Sequence, residues 1–123
     1  MHVHTSLSLD ANTQGTLNTP DDAYRFAKGQ SLYLQPYLED GTSDRTSKLK
    51  QPLDFAAVTD HAELLGEVRM CIDEKSSKYN SFQCKAYRNF PKLSYFYMNA
   101  KASMRKPLGF CGESREFCLD AAQ

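Results

Sequence analysis

The sequence predicts an α/β fold of parallel type, a fragment of a larger barrel amounting to about two βα units plus an insertion. Two observations lead there. Across residues 1–71 the chain reads as strand, helix, apolar strand, helix, the order of parallel βαβ units. Its 123 residues supply about two such units, where a closed parallel barrel takes about 250 residues. The chain opens directly on a motif-bearing strand and stops at Asp120-Ala121-Ala122-Gln123 in what reads as a helix without a stop signal. Residues 1–123 are therefore expected to form one partial domain, truncated at both ends.

Met1-His2-Val3-His4-Thr5 reads as a short strand whose alternate residues share a face. The polar stretch from Ser6 to Asn18 reads as turns. Thr19-Pro20-Asp21-Asp22 then supplies a cap residue, proline at the first helical position and two acids in the first turn. The resulting helix should run to about Lys28 and end at Gly29, with Ala23, Phe26 and Ala27 on its apolar stripe. Residues 39–52 have the composition of a surface loop. Leu53 to Thr59 is a nearly continuous apolar run, the pattern of a strand buried on both faces, and it leads into Asp60-His61. From Ala62 to about Cys71 a helix is expected, with Leu64, Leu65 and Val68 on one stripe and Gly66 weakening it by roughly 1 kcal/mol. Ser76 to Ser81 is loop-like, and the aromatic stretch Phe90 to Met98 is compatible with helix or strand.

Composition excludes several classes. Lys plus Arg and Asp plus Glu number 15 each, so no net field collects nucleic acid or an anionic membrane. No apolar run approaches the roughly 18 residues of a membrane span, and no signal peptide opens the chain. Tyr95 and Tyr97 invite a base-stacking reading, but no clustered basic stripe accompanies them and packing is the default. No nucleic-acid or membrane partner is expected. Cys71, Cys84, Cys111 and Cys118 show no Cys-x-x-Cys spacing, which argues against a zinc knuckle or thioredoxin motif. Two neighbouring pairs suit local disulfides, Cys71 with Cys84 and Cys111 with Cys118, although four cysteines allow three connectivities and four reduced thiols are the alternative. Bridges would point to an oxidising compartment, periplasmic or secreted.

The chemistry sits in the histidines. His2 and His4, one residue apart on a strand, project from one face and can approach a single metal ion. His-x-His alone is a weak signal. It gains weight from Asp10 in the segment leaving that strand, since carboxylates ligate Zn, Mn and Fe and can bridge ions. It gains more from His61, just past the second strand, where parallel α/β folds gather their ligand groups. All three histidines of the chain fall at these two places. Asp10 reads equally as a ligand or as an Asx-turn residue. Asp60 reads equally as a ligand or as a group that orients a ligating histidine. Thr59-Asp60-His61 also suits a helix cap. Glu63 and Glu67 read as helix-surface charges, as do Arg25 and Lys28, which could otherwise assist an anionic substrate.

His2-Val3-His4-Thr5-Ser6-Leu7-Ser8-Leu9-Asp10 and Thr59-Asp60-His61 resemble the first two motifs of the polymerase and histidinol phosphatase (PHP) superfamily. Residues 19–29 and 53–63 resemble a branch of it, largely uncharacterised and often exported, that is known as a domain of unknown function. The resemblance implies the N-terminal fragment of a distorted (β/α)7 TIM-like barrel with up to three divalent ions (Zn, Mn or Fe) that hydrolyses phosphate esters with metal-bound water as nucleophile. It implies that His2 and His4 bind the first ion and that Asp10 and His61 match ligands of the third. The family's bridging glutamate and later ligands have no counterpart here, so the isolated chain is expected to be inactive, with no catalytic residue assigned. The substrate would be a small anionic phosphate ester. Two alternatives stand beside this: an amidohydrolase-type metal hydrolase, against which Thr59-Asp60-His61 argues, and a non-enzymatic, disulfide-stabilised metal-binding module.

Overall fold

In the computed structural model, which describes residues 2–123, the polar stretch after the first histidines is not all turn. Leu9–Thr13 forms a short helix, α1. Ser8 is its N-cap, yet the hydroxyl makes no capping bond, because Asp10 and His61 engage it instead. The next helix, α2 (Pro20–Ala27), follows its sequence signal. Thr19 accepts from the Asp22 N–H while the Asp22 carboxylate accepts from the Thr19 N–H, so two otherwise orphaned donors are satisfied reciprocally. Gly29 ends the helix at φ +85°, a conformation a side chain would strain. Ala23, Phe26 and Ala27 face an apolar cavity of about 230 Å³ that Val3, Leu53 and Val58 also line. Within the segment expected to be loop, β2 (Thr46–Ser47) pairs antiparallel with β1 (Leu32–Tyr33).

The second half is a helical cluster. A 3-10 turn at Ala62–Leu64 leads into α3 (Leu65–Ile72), together covering the expected helix. Next come α4 (Phe82–Asn89), α5 (Pro91–Ser103), a 3-10 turn at Gly109–Cys111, and α6 (Glu116–Ala121). The ambiguous aromatic stretch is the start of α5, opened by Pro91 in its first turn. Leu64, Val68 and Cys71 lie at i, i+4 and i+7 and are buried against Tyr87, Met98 and Phe110. Both local disulfides form: Cys71–Cys84 ties α3 to α4, and Cys111–Cys118 ties the last turn to α6. Such bridges are compatible with an extracellular location, and no helix among the described residues is long and apolar enough to cross a membrane. Gly66 has a packing role. A Cβ there would sit 1.7 Å from the Cys118 carbonyl oxygen, so only glycine lets α3 and α6 approach this closely.

The expected barrel fragment does not form. Helix accounts for 44% of residues and strand for 3%, and the one sheet among the described residues is antiparallel, so there are no parallel βα units. The two segments expected as strands do lie side by side, although Met1, where the first was to begin, is outside the described residues. They share a single backbone bond, from Thr59 N–H to the Val3 carbonyl at 2.8 Å. Side chains take the other donors a ladder would use: Val3 N–H donates to Thr59 Oγ1 at 3.0 Å, and Thr5 N–H to the Asp60 carboxylate. Thr and Asp thereby compete with the ladder and replace it. Nor is the apolar run buried on both faces, since Phe55 is 86% exposed. A parallel strand needs cover on both sides, and the helices of the second half pack chiefly on one another.

Candidate metal centre

The paired segments bring the histidines together. Asp60 does this from below: Thr5 donates to its carboxylate through both backbone N–H (2.5 Å) and hydroxyl (2.6 Å). Thr5 is 1% exposed, so these charge-assisted bonds are shielded from water and anchor the backbone directly after His4. Among the described residues no hydrogen bond or ion pair joins Asp60 to an imidazole; its carboxylate holds the segment that bears His4. Thr59 does the same at the other end, with its Oγ1 3.2 Å from His2 Nδ1.

His4 lies between the other two rings, 4.4 Å from His2 and 4.8 Å from His61 between centroids. Its Nδ1 is 2.7 Å from Asp10 Oδ2. An ionised carboxylate only accepts, so in the neutral ring Nδ1 bears the hydrogen and Nε2 is left with its lone pair. That Nε2 is buried and has no hydrogen-bond partner among the described residues. Asp10 Oδ2 also lies 3.9 Å from His61 Nε2, while Oδ1 accepts from the Ser8 hydroxyl at 2.7 Å. The same hydroxyl accepts the His61 N–H at 3.1 Å, so one serine fixes both Asp10 and the start of the His61 segment. Burial opposes ionisation of Asp10, but the Ser8 hydroxyl, the His4 ring and the Ala11 N–H together outweigh it and hold the carboxyl below its usual range.

His4, Asp10 and His61 each offer a donor atom within 4.8 Å of the others, a group that could hold a metal ion. The residues fit that role on the buried, unpartnered Nε2 of His4 and on a carboxylate already bonded to the other ring nitrogen, the usual support of a ligating histidine. His2 adjoins the group and is exposed. Glu63, read from the sequence as a surface charge, reaches His61 Nδ1 at 3.2 Å. A cleft of about 90 Å³ opens beside Asp10, His61 and Glu63.

Sequence reasoning misread Glu67. Its side chain is 3% exposed and bonds Arg115 Nη2 at 2.7 Å. The signal was its place three residues after Leu64 and four before Cys71, both buried, which puts it on the inward stripe. Glu67 also lies near Cys111 and Cys118, but those sulfurs are bonded to each other and are not thiolate ligands. Arg25 pairs with Asp22 on α2 and is largely exposed, in keeping with a surface charge.

A family model described as "Protein of unknown function (DUF3604)" matches residues 1–110, a span that includes every histidine. No curated protein and no solved structure matches the chain.

Proposed function

Because the chain belongs to the DUF3604 family, whose description assigns no chemistry, we propose its function from the site: it contributes His2, His4, Asp10 and His61 to a metal-dependent phosphoesterase centre. The single observation supporting this is the His4 imidazole. It is held at Nδ1 by Asp10, its Nε2 is buried and unpartnered among the described residues, and its ring lies 4.4 Å and 4.8 Å, centroid to centroid, from those of His2 and His61. Leaving such a nitrogen buried and unsatisfied costs about 1–3 kcal/mol, a cost a coordinated ion would remove. Imidazole and carboxylate donors suit Zn, Mn or Fe. A divalent ion held there would supply Lewis acidity and an acidified water. Asp10 keeps the His4 tautomer, Ser8 keeps Asp10 and the His61 backbone in place, and Asp60 fixes the segment behind His4. The likeness of the His-x-His and Thr-Asp-His segments to the PHP superfamily supports phosphate esters as the substrate class.

The test begins with metal-free protein titrated with Zn²⁺ and Mn²⁺, following the imidazole resonances. Binding should perturb His4 and His61 and be lost in His4→Ala and His61→Ala with helix content unchanged. Metal binding indifferent to both variants refutes the reading. A panel of phosphodiester, phosphomonoester and amide substrates then assigns the class, and metal-dependent turnover of the amide alone would give the site to amidohydrolase chemistry. A structural-metal reading is favoured by one observation, that the His2 ring adjoins the three grouped donors, His4, Asp10 and His61, so a fourth ligand for a closed zinc shell is at hand. It predicts that removing the metal unfolds the chain, whereas the hydrolytic reading predicts a fold held by the helical core and its two bridges.

A further inference from the structure

We propose that a second pocket, walled by Lys101, Arg105, Lys106 and Arg115, binds a tetrahedral oxyanion of the phosphate or sulfate type. The pocket measures about 270 Å³, room for several waters at ~30 Å³ each and hence for such an anion. Its four cations outnumber its two carboxylates, Glu63 and Glu67, and both carboxylates are already engaged, Glu63 by His61 and Glu67 by Arg115. Three of the cations, Lys101, Arg105 and Lys106, stand at the end of α5 and just after it, and Arg115 joins them from beyond the turn at Gly109–Cys111.

Complementing the C-terminal end of α5 does not account for this charge. The amides of Met104, Arg105 and Lys106 already donate to the carbonyls of Ala100, Ala102 and Lys101, which leaves the side chains of Arg105 and Lys106 exposed and in no ion pair among the described residues. Arg115 is pre-positioned. Its Nη2 donates to the Glu63 carbonyl at 2.9 Å as well as to Glu67, yet the side chain is 41% exposed, so a guanidinium is held in a fixed orientation at the pocket wall. Arg105 and Arg115 are also the two non-glycine residues with positive φ among the described residues, at 53° and 63°. Long side chains seldom adopt that region, and both that do so here line this pocket.

The pocket adjoins the imidazole cluster through Glu63, whose carbonyl holds Arg115 and whose carboxylate meets His61. The anion site rests on its own residues and does not require a metal. If the metal reading also holds, the pocket adds to the substrate an anionic group next to the reacting one.

Metal-free protein titrated with inorganic phosphate and with sulfate at low ionic strength, followed by backbone and arginine side-chain NMR, tests this. Saturable binding is expected, weakening about tenfold in Arg105→Asn/Lys106→Gln. Asparagine is chosen because it tolerates the left-handed backbone. Lys48→Gln/Lys50→Gln, on the exposed loop, should bind as the parent does. Absence of saturation overturns the proposal, as does equal loss in the loop variant. So does binding that survives Arg105→Asn/Lys106→Gln but disappears in His4→Ala/His61→Ala, which would assign the anion to the imidazoles.

Discussion

Replacing Gly66 with alanine tests the packing of the helical half. In an exposed helix the change would stabilise, since alanine gains about 1 kcal/mol over glycine in intrinsic propensity. Here the new Cβ would stand 1.7 Å from the carbonyl oxygen of Cys118 and 2.7 Å from its carbon. Both are backbone atoms of α6, and no rotamer change relieves them. The Cys111–Cys118 bridge and the seat of Cys118 in the core, 2% exposed, oppose a sideways shift of α6. Overpacking of this kind costs about 1–3 kcal/mol. Taking the upper end because the obstacle is backbone, and subtracting the propensity gain, leaves a net loss of ~2 kcal/mol. For a domain of this size that lowers the melting temperature by roughly 8 °C. Urea unfolding with the disulfides intact measures it, and Gly66→Ser should behave similarly. A neutral or stabilising Gly66→Ala would mean that α3 and α6 do not meet at this carbonyl.

Asp60→Ala should cost about 2–3 kcal/mol, because it removes the acceptor from the buried N–H and hydroxyl of Thr5 together; a loss below ~0.5 kcal/mol in urea unfolding would mean that water replaces the carboxylate. Asp22→Asn tests the α2 cap through pH. Burial raises the Asp22 carboxyl, but the Thr19 N–H, the Thr19 hydroxyl and Arg25 outweigh it and hold it below its ordinary 3.8. A carboxyl lowered by folding contributes stability above its unfolded pKa and loses it as pH falls through the folded one. The Asn variant should therefore be about 0.5–1 kcal/mol less stable at neutral pH and converge with the parent in acid, and a gap that persists at the acid end would contradict this assignment.

Local signals were legible and their global arrangement was not. The capping box at Thr19 and Asp22, the proline in the first turn and Gly29 lie within one short window, and α2 forms where they say. The pairing of the cysteines was legible for the same reason, since each bridge joins residues near in sequence. The barrel failed because it depended on contacts that periodicity cannot report. Leu53–Thr59 is apolar enough for a buried strand, but burial needs a partner on each face, and Phe55 has none among the described residues. Thr59 and Asp60, which read as the end of that strand, spend their side chains on the backbone of Val3 and Thr5, where a ladder would have used main-chain groups.

The site shows the same division at finer scale. That His2, His4 and His61 belong together could be read from where they fall, and so could the pertinence of Asp10. What Asp10 does could not, because the choice between ligand, turn residue and support depends on distances of a few tenths of an ångström. The structure puts its carboxylate on Nδ1 of His4, which makes it a positioning group first, with the shared oxygen also facing His61. Ser8 gives up the capping bond of α1 to hold that carboxylate and the His61 backbone. A helix start without its cap forgoes about 1 kcal/mol. Local stability was thus exchanged for the geometry of the cluster, and that exchange is a stronger sign of function at this site than the presence of three histidines.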